Sequence, residues 1–121
     1  MNAYQARELA NGYYVKCVMD KIEAKAEMGL YKVAIKLSGF EQLSPEIVVA
    51  TLLSDGFKLK LFIKDDFAYS EILDDWNSEK FGEEFIHTEK DYESAVDRLE
   101  QYAEEHDADC IKKYAMIEIS W

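Results

Sequence analysis

The chain has 121 residues, which suits one domain and leaves no room for two ordinary ones. Apolar residues make up 49% and charged residues 32%, a globular composition. No run of about 18 apolar residues occurs, so no membrane span is expected, and the net charge of −11 points to acidic surfaces.

The pattern begins with a long amphipathic helix over 3–28. Leu9, Ala10, Tyr13, Tyr14, Cys17, Val18, Ile22 and Ala26 recur at three- and four-residue steps and predict one apolar stripe. Asn2 and Gln5 suit a capping box, and Gly29 suits the residue after the helix end. Residues 31–37 alternate, with Tyr31, Val33, Ile35 and Leu37 on one side and Lys32, Ala34 and Lys36 on the other. Ser44-Pro45-Glu46 reads as a helix start with a serine cap, and Asp55-Gly56 as its stop. A second alternating strand at 57–63 turns Phe57, Leu59, Leu61 and Ile63 inward and Lys58 and Lys60 outward.

Strand, short helix, strand predicts a parallel pair joined by a crossover. Residues 64–87 are harder to read, with an edge strand expected near 83–88. Thr88 and Asp91 form a cap for a helix over 89–106, whose apolar face holds Tyr92, Ala95, Val96, Leu99, Tyr102, Ala103 and His106. A closing strand at 113–121 alternates Ala115, Ile117, Ile119 and Trp121 with Met116, Glu118 and Ser120. The expected class is α+β in two layers: a small mixed sheet with a parallel β-α-β pair and helices on one face. One domain, 1–121, holds an acidic, insertion-like segment at 64–112. The lysines of the strands project from the other face of the sheet.

Charge is distributed unevenly. Residues 65–109 hold seventeen acids against Lys80, Lys90 and Arg98, a net of −14, and the rest of the chain sums to +3. Nucleic acid is not expected to bind through the acidic segment, because phosphates would be repelled. A basic protein surface would be attracted, although acids also serve simply to keep a small domain soluble. Aromatic residues stand among these charges, as they do in protein-binding patches or in a connection buried against a sheet. The residues singled out for partner binding are Asp74, Asp75, Trp76, Glu83, Glu84, Phe85, Glu93, Asp97, Glu100 and Glu104.

Chemical motifs give no comparable signal. Neither a GxSxG elbow nor a glycine-rich phosphate loop occurs. A metal set built from His87, His106, Asp107, Asp109 and Cys110 matches no ligand spacing. The acid pairs Asp65-Asp66 and Asp74-Asp75 lack the layout of a calcium loop. Cys17 and Cys110 read as isolated thiols. No catalytic residue, cofactor or metal is therefore assigned. Met1-Asn2-Ala3-Tyr4-Gln5 lacks the layout of a secretion signal, which makes the cytoplasm the expected compartment.

In layout the chain resembles small accessory proteins of tailed phages and prophages. The features concerned are the alanine-rich helix from Ala3 to Ala26, the Val33-Ala34-Ile35 strand, Ser44-Pro45-Glu46 leading to Asp55-Gly56-Phe57, and the ending Ile117-Glu118-Ile119-Ser120-Trp121. The resemblance implies an origin in a mobile element and brings no activity with it. The expectation that follows is a phage-encoded acidic module that binds a basic host protein in the host cytoplasm. Its charge would imitate DNA in the channel of a nuclease, CRISPR effector or restriction enzyme. The alternatives are a structural protein acting as a homodimer, through the lysine face or the Trp121 edge, and a small-ligand-binding protein.

Overall fold

Four alternating segments form a four-stranded sheet, and the helical segments cover one of its faces. A computed structural model describes residues 1–64, 83–105 and 113–121. The order is α1 (Ala3–Glu27), β1 (Lys32–Lys36), α2 (Leu37–Glu41), α3 (Pro45–Ser54), β2 (Lys58–Ile63), β3 (Glu84–Ile86), α4 (Glu89–Glu105) and β4 (Ala115–Ser120). The class is α+β, as the pattern predicts.

Strand order is β1-β4-β2-β3, and each neighbouring pair is antiparallel. This corrects the expected mixed sheet and its parallel neighbours. β1 and β2 do run parallel, since both oppose β4, but β4 lies between them. By the same reasoning β3 and β4 run parallel with β2 between them. The two β-α-β crossovers are thus interleaved, and the last strand fills the gap left by the first pair. Antiparallel partners on both sides give β4 the evenly directed hydrogen bonds that a parallel neighbour would slant.

Register sorts the side chains into two faces. Inward rows run Val33, Ile119, Leu59, Ile86 and then Ile35, Ile117, Leu61, Glu84. Outward rows run Lys32, Ser120, Lys58, then Ala34, Glu118, Lys60, Phe85, then Lys36, Met116, Phe62. The inward face meets Phe40 of α2, Val48, Val49 and Leu52 of α3, and Tyr92, Ala95, Leu99 and Ala103 of α4, all buried. The Phe40 and Tyr92 rings pack at 5.6 Å, tying α2 to α4.

Three local features refine the expectations. The Asn2–Gln5 capping box is present on α1, and Gly29 takes φ +78° just past its end, as a left-handed terminus requires. Ser44 precedes α3 as expected but makes no capping bond, and its φ of 51° is left-handed. The predicted single stripe of α1 is in fact two. Val18 and Ile22 are buried, with Tyr14, Val15 and Met19 packed beside them, whereas Leu9 (62% exposed) and Tyr13 (64%) face away. Positions 9 and 13 are a full turn apart from each other but most of a half-turn from 18 and 22, so both sides of the helix are apolar.

Candidate protein-binding surface

α4 has an inner face of Tyr92, Ala95, Leu99 and Ala103, and this burial fixes which residues point outward. Glu93, Asp97, Glu100 and Glu104 follow at steps of four, three and four, so they form one stripe, and all four are exposed. The helix starts on a sound cap: Asp91 N–H donates to Thr88 Oγ1 (3.1 Å) and Asp91 Oδ2 accepts from the His87 backbone N–H (3.0 Å). The acids Glu89 and Asp91 in the first turn suit the positive end of the helix.

The other singled-out residues go elsewhere. Glu84 belongs to the inward row at the sheet edge and is held by Arg98 of α4, Nε to Oε1 at 3.0 Å and Nη2 to Oε2 at 2.8 Å. This bidentate pair ties β3 to α4 and occupies both groups. Glu83 accepts from Lys60 Nζ at 3.0 Å. Phe85 is 61% exposed but lies in the outward row of the sheet, beside Lys60 and away from α4. Asp74, Asp75 and Trp76 lie outside the described residues, as do His106, Asp107, Asp109, Cys110 and the pair Asp65-Asp66. The expected patch is therefore divided: four acids stay together, while Glu83, Glu84 and Phe85 belong to other neighbourhoods.

Glu46 and Glu89 extend the stripe, and the sequence reading did not place them in it. Between the N-terminal parts of α3 and α4 lies a depression of about 350 Å³. Pro45, Ile47, Val49 and Tyr92 supply its apolar walls, and Glu46, Glu89 and Glu93 its rim. Carboxylates around an apolar slot suit the long stem and charged head of a lysine or arginine. Tyr92 is 7% exposed, and its hydroxyl has no hydrogen-bond partner among the described residues. Its phenol pKa is pushed up, first by burial and then by the negative charge of Glu41.

Among the described residues no group of three or more His, Cys, Asp or Glu side chains is placed to hold a metal ion. Cys17, half-buried on α1, is not in a disulfide. No described helix is long and apolar enough to cross a membrane. No known protein family, curated protein or solved structure matches this chain.

Proposed function

We propose that this chain is an acidic protein-binding module, encoded by a phage or prophage, that docks on a basic host protein through α4. The observation that supports this reading is the exposed stripe of Glu93, Asp97, Glu100 and Glu104, which ends in the carboxylate-rimmed slot between α3 and α4. Like charges at successive turns repel one another, so the stripe adds little to folding and fits a surface kept for a partner. Rows of carboxylates at turn spacing present negative charge in a line, as a nucleic-acid backbone does. A nuclease, CRISPR effector or restriction enzyme of the host cytoplasm has the complementary basic channel. The test is displacement of labelled duplex DNA from a panel of such enzymes. The intact protein should displace it, and a variant with Glu93→Gln, Asp97→Asn, Glu100→Gln and Glu104→Gln should not. Equal displacement by both proteins, or by neither, would reject the reading.

A second reading rests on α1. Its outer stripe leaves Leu9 and Tyr13 exposed and outside the core among the described residues, which suits pairing with a second copy. The lysine face and Trp121 suit it less: like charges would meet on the lysine face, and the Trp121 ring already packs edge-on against Phe57 at 6.3 Å. Sedimentation of the wild type against a Leu9→Glu, Tyr13→Glu variant decides the point. A wild-type dimer that the variant dissolves supports assembly through α1, and a wild-type monomer removes it.

A further inference from the structure

The helices lie on one side of the sheet, and among the described residues nothing covers the other. That open face carries the opposite charge to α4. Lys32, Lys36 and Lys58 project from it and are exposed, with Lys64 exposed at the end of β2. The carboxylates bordering it among the described residues are Glu83 and Glu118, and both are held by Lys60, at 3.0 Å and 3.6 Å. No described ion pair involves Lys32, Lys36, Lys58 or Lys64, so the four keep their charge for a partner.

The face is also shaped. Two depressions flank the Lys60–Glu118 pair, and Glu118 borders both. One, of about 280 Å³, lies at the end of the sheet, where Lys58, Phe85, His87 and Ser120 meet Leu53 of α3 and Phe57. The other, of about 830 Å³, is bordered by Lys32, Phe62, Lys64 and Met116. Each therefore brings an outward-row phenylalanine, Phe85 or Phe62, beside lysines. Phe85 stands opposite Lys60, two residues before Phe62, so the two phenylalanines are diagonal neighbours on the same face of β2 and β3.

We propose that this open face binds single-stranded nucleic acid, with Phe62 and Phe85 as stacking platforms and Lys32, Lys36, Lys58 and Lys64 along the phosphates. Paired rings among lysines on an open antiparallel sheet provide what an unstacked strand needs, namely flat apolar contact for bases and point charges for phosphates. An acidic peptide would use the lysines and leave the rings idle. A duplex hides its bases and would do the same. The acids of α4 do not prevent this. They project from the far side of α4, so a helix about 10 Å across and the sheet itself stand between them and the open face, and the screening length at physiological salt is about 8 Å.

Fluorescence anisotropy of a labelled oligothymidylate of about 15 nucleotides with the whole protein is the test. Neutralising about four phosphates should give a log–log salt slope near −3, a loss of about 50-fold between about 50 and 200 mM salt. Phe85→Ala should weaken binding about tenfold, and Lys32→Gln with Lys36→Gln and Lys58→Gln should abolish it at the higher salt. All four side chains are exposed, so circular dichroism should be unchanged. The α4 variant that tests the proposed function should keep its oligonucleotide affinity, which separates the two surfaces. No binding at low salt, equal affinity for the duplex, equal competition by polyglutamate, or indifference to Phe85→Ala would each overturn the proposal.

Discussion

Two residues sit in conformations or surroundings that their chemistry resists. Ser44 takes φ 51° and ψ 68° without a capping bond to offset it. Asparagine tolerates the left-handed region better and also caps, so Ser44→Asn should stabilise the protein by about 0.5–1 kcal/mol. Ser44→Val should destabilise it, both read from urea midpoints. Tyr92 holds its hydroxyl in the core with no described partner. Tyr92→Phe should therefore be neutral or slightly stabilising near neutral pH. The raised phenol pKa gives the pair a second signature. The unfolded chain releases that proton near pH 10 while the folded chain keeps it. Stability then falls as pH rises above 10, by up to about 1.4 kcal/mol per unit. Lys60, whose pKa is raised chiefly by its hydrogen bond to Glu83, loses stabilising charge over the same alkaline range in both proteins. Raising the pH from about 9 to about 11 should thus lower the unfolding free energy of the wild type more than that of Tyr92→Phe; parallel losses would refute the assignment.

Among the elements, α4 is set against itself. Its inner face is regular, yet Glu89–Glu93, Glu93–Asp97 and Glu100–Glu104 are like-charged pairs one turn apart. Glu104 and Glu105 also stand at the negative end of the helix, whose last turn has no basic residue. The four-site neutral variant should gain about 1 kcal/mol at low salt, and the gain should shrink as salt is added. A thermal melt showing a loss instead would mean that the acids support the helix. This element also shows what a sequence pattern reveals. Strand faces were legible because alternation is local, and so were the α4 stripe and the Asn2–Gln5 cap. The order of strands was not, because β4 meets β1 and β2 across long stretches of chain. α1 was read as having one stripe because its apolar residues are spread around the helix and only packing chooses the buried side. Glu83 and Glu84 were grouped with the acids of α4 by proximity in sequence, but Lys60 and Arg98 claim them in space. Glu46 was missed for the same reason: it lies 43 positions before Glu89 yet borders the same slot.

For the whole molecule, opposite charges are separated by the sheet. Among the described residues, exposed lysines stand on the open face and the acid stripe on α4, and the apolar core lies between them. The core depends most on the strand flanked on both sides. Ile117 is fully buried at the middle of β4, while Ile35 is half-buried on the β1 edge. Ile117→Ala should lower stability by about 3–5 kcal/mol and Ile35→Ala by about 1–2 kcal/mol. If Ile117→Ala does not fold, Ile117→Val should still show a loss of about 1 kcal/mol. Equal losses at the two positions would mean that β4 is no more central than its neighbours.

The position of β4 also sets a timetable for synthesis. β1 and β2 leave the ribosome early, but the strand that separates them is made more than fifty residues after β2. At about 5–20 residues per second, several seconds pass in which β1 has no strand partner and β2 has at most β3 on one edge. Lys32 and Lys36 of β1 and Lys58 and Lys60 of β2 make those strands repel one another and their copies in neighbouring chains. The cations of the open face thereby protect the nascent chain from aggregation before the face itself exists.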